Sequence, residues 1–447
     1  MLHVVLAVIG VSTLPSGTLV VADAKAVAAR SAACLDGSPP AFYIWPGVET
    51  KKYILFLEGA CASSEAQVAL FSRILMMFRS AHPPFSTTPT GGGWCFTEKT
   101  CKSRSKSGLG SSTGYKPAEG DLGGIMSANV TENPLFANWT KVFVKYCDGS
   151  SFSGARIGAS NASGVPLHYR GRANLAATLD TLALPDPSRG FGIGNATEVI
   201  LTGGSAGGLA VFLQVDYVAS RLPNVPRIVG QPDAGLFADL PNTAGTYAYR
   251  SMFQGADVPS MWNATVGGGT NAACLASTAA EDRWQCLMAQ YVVPHLSTPI
   301  FVTNAAIDVY QMQNILQVGC VTKQCSSSQF TKIEGYRKEF LAHAVAPVRA
   351  ANSGANGAWI DSCFMHEQNV YYCSGGQGPG GTALNCMGWL REQVNGISPQ
   401  QAFLRWYTED QSKAKGSDHF TVDDEPWPQN PTCSWHFGDA ATPLALL

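Results

Sequence analysis

The segment at residues 198–222, EVILTGGSAGGLAVFLQVDYVASRL, constrains the fold of this chain more than any other stretch. Its first part, EVILTG, predicts a strand, and AGGLAVFLQVDYVASRL predicts a helix directly after it. The junction, GGSAG at 203–207, matches the pattern G-x-S-x-G, and its glycines permit a sharp turn. The pattern alone also fits a plain strand–helix turn, but this context favours a nucleophile elbow that exposes the Ser205 hydroxyl.

Three further apolar runs predict strands, YILFLEG at 53–59, TKVFVKYC at 140–147 and TPIFVTNAAID at 298–308. These runs lack strict alternation of apolar and polar residues, which is typical of strands buried on both faces of a largely parallel sheet. Neither an internal repeat nor a clear linker interrupts the chain. We therefore expect a single α/β domain over residues 34–447.

A nucleophilic serine needs a general base, and the base needs an acid that orients it. Asp308 follows the predicted strand TPIFVTNAAID and would lie at its carboxyl end. Asp233, in QPDAGLF, is the competing acid, but we interpret it as a loop residue that caps the next helix. The amide of Ala206 would point toward a developing oxyanion, aided by the positive end of the helix that follows.

The candidate bases are the histidines downstream of Ser205. His343 lies in a helical stretch and is most simply a surface or packing residue. His366 follows an apolar segment and a cysteine, whereas His419 lies between acidic residues and His436 lies in an irregular tail. Spacing alone favours His366 over His419 without deciding between them.

The first residues predict export from the cell. Residues 2–21 contain no Asp, Glu, Lys or Arg and are followed by small residues, so residues 1–24 are interpreted as a signal peptide. An uncleaved membrane anchor is the alternative, but Pro15 and Gly17 interrupt the apolar run. No other segment is long and apolar enough to span a bilayer.

The cysteines and glycosylation sequons also point to secretion. Thirteen cysteines fit an oxidising compartment, and without paired C-x-x-C spacings they favour disulfides over a zinc ribbon. The sequence N-x-[S/T] occurs at Asn129, Asn138, Asn161, Asn195 and Asn263. We therefore expect a secreted glycoprotein.

Composition argues against a disordered chain and against a nucleic-acid-binding protein. Hydrophobic residues make up 45% of the chain and charged residues 14%, which excludes global disorder. The formal net charge of −2 gives no basic surface, so nucleic acid is not expected as the main partner.

Six sequence blocks together resemble the pectin acetylesterase family, in particular its plant and algal branch. They are LEG (57–59), GGGWC (91–95), YCDGSSFSG (146–154), GGSAGGL (203–209), NAAIDVYQ (304–311) and DSCFMHEQ (361–368). The blocks run in family order from about residue 40 to the C-terminus. A related animal branch contains the Notum carboxylesterase, which removes a fatty acyl group from Wnt proteins.

The resemblance implies an α/β-hydrolase-like fold with a mostly parallel central sheet flanked by helices. It also implies a serine esterase whose nucleophile is Ser205, whose acid is Asp308 and whose base is His366. His419 falls in no matching catalytic block, so the resemblance decides against it. No metal and no organic cofactor is expected for this chemistry.

The resemblance further identifies the glycines before Trp94 as the oxyanion loop. Gly92 and Gly93 would donate amides that join Ala206 around the oxyanion. Trp94 and Asp148 are candidates for substrate contact, and a structural role for Asp148 is an equal alternative.

The expected function is hydrolysis of acetyl esters on pectin by a secreted enzyme of the cell wall. The expected partner is an acetylated polysaccharide, and we expect a monomer that does not bind membranes after signal cleavage. One alternative is a Notum-like carboxylesterase that removes a fatty acyl group. Another is an inactive glycan-binding wall protein.

An insert distinguishes this chain from the family pattern, in which LEG runs directly into GGWC. Here residues 60–91 lie between the two, a stretch of 32 residues that contains Cys61. Without Cys61 the cysteine count becomes twelve, an even number suited to complete pairing. A retained intron or faulty gene prediction is favoured over a genuine insertion that acts as a lid or binding surface. An insert that displaces Gly92 and Gly93 would damage the oxyanion hole.

Overall fold

The computed structural model of the chain describes residues 17–59, 93–255, 261–320, 325–369, 388–409 and 419–433. The insert at 60–91, Gly92, His436 and most of the predicted leader therefore lie outside the described residues.

A ten-stranded sheet forms the centre of the described part of the chain. The strands are β1 Gly17–Val21, β2 Ala41–Trp45, β3 Glu49–Leu57, β4 Ala118–Glu119, β5 Trp139–Val144, β6 Glu198–Gly204, β7 Arg227–Asp233, β8 Phe301–Ala305, β9 Gly357–Asp361 and β10 Phe420–Val422. Their order in the sheet is β10-β9-β8-β7-β6-β3-β5-β2-β1-β4. Neighbours from β10 to β5 are parallel, and β2, β1 and β4 add an antiparallel edge.

The four predicted strands are present as β3, β5, β6 and β8, and the mostly parallel sheet is confirmed. In β3, Leu55 and Leu57 pack into one apolar cluster and Ile54 and Phe56 pack into another. Successive side chains of a strand point to opposite faces, so both faces of this sheet are covered. That double burial explains why the sequence shows continuous apolar runs rather than alternation.

Helices cover both faces of the sheet. They are α1 Ala24–Arg30, α2 Glu98–Arg104, α3 Gly171–Leu182, α4 Ala206–Arg221, α5 Ala248–Gln254, α6 Ala272–Ser277, α7 Ala289–Val292, α8 Val309–Gln311, α9 Ser327–Phe340, α10 Ala346–Ala350, α11 Gly388–Arg391 and α12 Pro399–Thr408. Residues of α3 and α4 pack in the cluster that holds Leu55 and Leu57, and α12 packs in the one that holds Ile54 and Phe56. Within the described ranges, no helix has the length and apolar character needed to cross a membrane.

The start of the described chain belongs to the sheet, although it lies inside the predicted leader. β1 pairs antiparallel with β2, and the Asp23 carboxylate accepts the N–H groups of Lys25 and Ala26 at the start of α1. Removal of residues 1–24 would therefore remove both β1 and this helix cap, whereas a cleavage before residue 17 would leave the described sheet intact.

Five disulfides confirm the predicted disulfide framework. They join Cys34 to Cys147, Cys95 to Cys101, Cys274 to Cys286, Cys320 to Cys325 and Cys363 to Cys433. Cys61 and two other cysteines lie outside the described residues. Two of the five disulfides flank the candidate site, one directly after Trp94 and one in the loop that follows β9.

Candidate active site

Ser205 lies at the junction of β6 and α4 with a left-handed backbone conformation, φ 53° and ψ −119°. A non-glycine residue holds such a conformation only when the surrounding structure enforces it. Here the Ser205 N–H donates to the Asp233 carbonyl at 3.0 Å, and the Ser205 carbonyl accepts the Leu209 N–H at 2.9 Å. The predicted sharp turn is present, and it places the serine at the carboxyl edge of the parallel strands.

Two glycines in the first turn of α4 allow the helix to contact the sheet backbone directly. A Cβ on Gly207 would lie 2.0 Å from the Leu57 carbonyl oxygen, and one on Gly208 would lie 2.1 Å from the Asp233 carbonyl oxygen. Real side chains cannot occupy either position. The small residues after Ser205 therefore reflect close packing of helix on strand ends, in addition to the turn itself.

The structure brings Ser205, His366 and Asp308 into one hydrogen-bonded chain. His366 Nε2 is 2.8 Å from Ser205 Oγ, and His366 Nδ1 is 2.6 Å from Asp308 Oδ2. The other Asp308 oxygen accepts the Gln311 N–H at 2.9 Å, which fixes the carboxylate. The three residues follow β6, β9 and β8, whose carboxyl ends meet at one edge of the sheet. This is the geometry in which a serine hydroxyl can lose its proton to an imidazole.

The environment of His366 favours its protonated form. Burial opposes a charge on the ring, but the Asp308 carboxylate outweighs this through its charge and its hydrogen bond. With smaller contributions from Glu367 and Asp233, the pKa of His366 rises to about 9. An imidazolium formed during attack by Ser205 would therefore be stabilised in place. The His366 side chain is 22% exposed and Asp308 is fully buried, so solvent reaches the site from the histidine side.

The other candidate histidines within the described ranges lie away from Ser205. His419 immediately precedes β10, at the amino end of a strand that runs parallel to β9, and therefore lies at the opposite edge of the sheet. Its ring is 3.7 Å from the Glu409 carboxylate. His343 is exposed and pairs with Glu339 at 3.1 Å.

Asp233 differs from its predicted role. It is the last residue of β7 rather than a loop residue that caps a helix, and its carboxylate accepts the N–H groups of Gln368 and Asn369. The strand itself was missed, because Gly230 and Pro232 interrupt its apolar pattern and proline usually argues against a central strand. Asp233 thus contacts the loop that carries His366 without joining the triad.

Gly93 and Ala206, two of the three predicted oxyanion residues, line the same cavity beside the triad. Gly93 has a positive φ of 64°, and its carbonyl accepts the Tyr146 hydroxyl at 3.0 Å. A Cβ at this position would lie 3.0 Å from the Tyr310 hydroxyl oxygen. Glycine is therefore required both by the backbone and by the approach of Tyr310.

Trp94 and Asp148 are both buried, with different surroundings. Trp94 lines the cavity, and its Nε1 donates to Ser151 Oγ at 2.5 Å. Asp148 is fully buried, and its carboxylate accepts the Ser150 hydroxyl at 2.6 Å and the Phe152 N–H at 3.2 Å. Burial raises the pKa of Asp148 to about 6. These contacts favour the structural role for Asp148, as the support of its own loop.

Tyr310 was not predicted, although it lies between the base and the cavity. Its ring stacks on the His366 ring with centroids 5.6 Å apart and planes inclined by 22°. It also packs against Phe237 at 5.6 Å. The sequence signal was its position two residues after Asp308, but this spacing alone does not reveal which way a side chain points.

The cavity is small and mostly apolar. The centre of a water-sized sphere can move within about 20 Å³ of this cavity. Phe253, Tyr249 and Phe237 form its aromatic side, with Trp94 packed edge-on against Phe253 at 4.9 Å. A cavity needs about 10–15 Å³ of this volume to hold one water molecule. The cavity therefore accepts little more than a methyl group, which is similar in size to water.

One group of three ligand-type side chains lies close together within the described ranges. Asp361, Cys363 and Glu392 are buried, with their ligand atoms within 4.8 Å of one another. Cys363 is oxidised in the disulfide with Cys433 and cannot act as a thiolate ligand. The group therefore does not have the donor set of a cysteine metal site.

Comparison with known proteins identifies the family of the chain. The sequence profile of the family Pectinacetylesterase matches residues 87–434. Pectin acetylesterase 11 of Arabidopsis thaliana is 32% identical over 79% of this chain and 82% of its own length. Pectin acetylesterase 5 of the same plant is 30% identical over 76% of this chain and 71% of its own length.

Among solved structures, the Wnt deacylase Notum from Drosophila superposes with a TM-score of 0.67 at 22% identity. The match covers 93% of this chain and 98% of the Notum chain, and with the parallel sheet it shows that the fold is α/β-hydrolase-like. The chain therefore belongs to the pectinacetylesterase family and is a carboxylic ester hydrolase.

Proposed function

We propose that the protein is a secreted esterase that removes acetyl groups from pectin through Ser205, His366 and Asp308. The observation that carries the proposal is the continuous hydrogen-bonded chain from Ser205 Oγ through both ring nitrogens of His366 to a fully buried Asp308. Membership of the pectinacetylesterase family supports the ester chemistry, and similarity to pectin acetylesterases 5 and 11 of Arabidopsis thaliana supports acetylated pectin as the substrate.

The reaction begins when Ser205 Oγ attacks the acetyl carbonyl carbon and its proton moves to His366 Nε2. The carbonyl oxygen becomes an oxyanion that the backbone amides of Gly93 and Ala206 stabilise, together with that of Gly92. The intermediate then collapses, the bond to the sugar oxygen breaks, and His366 returns the proton to that oxygen as the alcohol leaves.

A water molecule completes the cycle. It gives a proton to His366 and attacks the acetyl-enzyme carbonyl, and collapse of the second intermediate releases acetate and restores the Ser205 hydroxyl. Asp308 keeps the ring orientation fixed and stabilises the imidazolium in both half-reactions. The proposed steps use side chains and backbone amides of this chain together with water.

The size of the cavity favours acetyl over a long acyl group. A volume of about 20 Å³ fits the methyl of an acetyl ester, whereas a fatty chain would require several aromatic side chains to move. The similarity to Notum keeps removal of a fatty acyl group as the second candidate function. A preference for long acyl esters over acetate would support that candidate instead.

Secretion is proposed from the apolar leader and from the disulfides. Five disulfides among the described residues fit an oxidising compartment, and the five glycosylation sequons fit passage through the secretory pathway. The substrate would then be met in the cell wall.

The direct test is release of acetate from acetylated pectin by the purified protein and by Ser205→Ala. We expect the substitution to lower kcat by about 10⁴–10⁶-fold, because the nucleophile is lost. Ser220→Ala is the matched control, since Ser220 lies on the same helix and is exposed, and its hydroxyl donates to the Tyr217 carbonyl one turn earlier. Full activity of Ser205→Ala would exclude the proposed nucleophile. Failure of wild type to react with a fluorophosphonate would favour the inactive glycan-binding alternative.

A further inference from the structure

Asp233 contacts the loop that carries His366, residues 362–369, which we call the histidine loop. It is fully buried at the end of β7, and its Oδ2 accepts two consecutive backbone N–H groups, from Gln368 at 2.7 Å and from Asn369 at 2.9 Å. These residues follow His366 by two and three positions. Two backbone amides thus converge on one buried carboxyl oxygen, which fixes this loop against the end of β7.

The same residue holds the nucleophile elbow. The Asp233 carbonyl accepts the Ser205 N–H at 3.0 Å, and the first turn of α4 approaches it so closely that Gly208 cannot carry a Cβ. The backbone of Asp233 therefore fixes Ser205, while its side chain fixes the segment that carries His366.

We propose that Asp233 is a positioning residue, which sets the approach of His366 Nε2 to Ser205 Oγ by holding both segments at once. The inference deepens the proposed function, because it assumes that Ser205 and His366 react together. The family relationship assigns no such role, and Asp233 itself does not contact the reacting atoms.

Electrostatics adds a second effect of Asp233 on the base. The ionisable groups that act on its carboxylate are Glu367 and His366 on the histidine loop and Glu392 directly after α11. Burial and the charge of Glu367 raise the pKa of Asp233, while the two amide donors and His366 oppose the rise. In return, the charge of Asp233 contributes to the raised pKa of His366.

Two substitutions separate geometry from charge. Asp233→Ala removes the carboxylate that accepts the two amides of the histidine loop. A displacement of about 1 Å at a reacting group costs about 10²-fold in kcat, and we expect a loss of this size in the variant. Asp233→Asn keeps an acceptor oxygen but removes the charge. We expect it to retain kcat at high pH within about tenfold and to shift the rising limb of the pH–rate profile to lower pH.

The matched control is Asp216→Asn. Asp216 lies on α4 well beyond Ser205, and its carboxylate likewise accepts consecutive backbone amides, from Ser297 at 3.1 Å and Thr298 at 2.9 Å. It shares the chemistry of Asp233 without contact to the histidine loop. We expect this variant to keep the wild-type pH–rate profile.

The experiment measures hydrolysis of p-nitrophenyl acetate against pH for wild type and the three variants, with thermal unfolding as the check on folding. Histidine titrations by NMR on selectively labelled protein follow the pKa of His366 without relying on activity. A fall of about 10²-fold in the kcat of folded Asp233→Ala, with Asp233→Asn within about tenfold of wild type, supports the positioning role. Wild-type kcat in folded Asp233→Ala overturns it; if Asp233→Ala does not fold, Asp233→Glu, which displaces the acceptor oxygen, takes its place in the same comparison. A lower His366 pKa in Asp233→Asn supports the added effect of charge, and an unchanged pKa excludes that effect. Inactive wild type with the expected NMR shift would count against the proposed function alone.

Discussion

Glu58 and Gly93, which lie on either side of the segment 60–92, are both hydrogen-bonded to Tyr146. The Tyr146 N–H donates to the Glu58 carboxylate at 2.7 Å, and the Tyr146 hydroxyl donates to the Gly93 carbonyl at 3.0 Å. A single tyrosine is thus hydrogen-bonded both to the residue that follows β3 and to the start of the proposed oxyanion loop.

We expect a variant without residues 60–91 to fold and to keep esterase activity within a few-fold of wild type or above it. Because Tyr146 contacts residues on both sides of the insert, we expect a short connection through Gly92 to be able to replace it. A shorter loop also has a lower entropic cost of closure. The measurements are acetate release and thermal unfolding of both proteins. A deletion variant that folds but loses activity would show that the insert contributes to the site.

The raised pKa of His366 predicts an alkaline pH–rate profile. His366 accepts a proton from Ser205 only when neutral, so kcat/KM should rise about tenfold per pH unit and level off near a pKa of about 9. Initial rates on p-nitrophenyl acetate, corrected for spontaneous hydrolysis, measure this rise of kcat/KM with pH. A plateau that already begins near the ordinary histidine pKa would contradict the ion pair with Asp308.

The same ion pair predicts how stability depends on pH. A group whose pKa is higher in the folded state stabilises the fold fully below its unfolded value, here 6.5, and this contribution is lost as pH rises through about 9. We expect the difference in thermal stability between wild type and His366→Gln to shrink above that pH. Scans of both proteins on either side of it provide the measurement, and a difference that grows with pH would have the wrong sign.

Tyr310 is expected to limit the length of the acyl group. Its ring lies between His366 and the aromatic side of the cavity, so Tyr310→Ala should enlarge the cavity and raise the activity on butyrate and octanoate esters relative to acetate. One methylene in an apolar pocket changes kcat/KM by about 10-fold or more, which sets the expected scale. The control is Tyr310→Phe, which retains the ring. An unchanged chain-length profile in Tyr310→Ala would place the acyl group elsewhere.

The mature N-terminus is expected to lie before residue 17. A protein that begins at residue 25 would lack β1 and the Asp23 cap, and loss of such a cap alone costs about 1 kcal/mol. Thermal unfolding of proteins that begin at residues 17 and 25 compares the two, and mass spectrometry of the protein purified from a secreting host identifies its N-terminus. Equal stability would show that β1 is dispensable, as the predicted leader at 1–24 requires.

The elements that a local pattern encodes were predicted from the sequence. The buried strands and the Ser205 turn carry their signal in consecutive residues, and the family blocks supplied Asp308 and His366. The role of Asp233 depends instead on amides far along the chain, at Gln368 and Asn369. Such a contact leaves no periodicity in the sequence.

The same reason explains the other differences. Burial of Asp148 follows from loop packing, and the position of Tyr310 against the cavity follows from the packing of α8. The predicted leader at 1–24 includes β1, since an exported segment and an edge strand share apolar composition. Pairing with β2, which only the fold reveals, is the basis for expecting cleavage before residue 17.

The disulfide between Cys363 and Cys433 makes the state of the active site depend on where the chain matures. It ties the C-terminal tail to the loop that presents His366 three residues later, and the two cysteines are 70 positions apart in the sequence. A chain made in a reducing cytosol would contain Ser205, His366 and Asp308 but would lack the disulfide that fixes the loop of His366. Production hosts with an oxidising folding route are therefore the appropriate source of active enzyme.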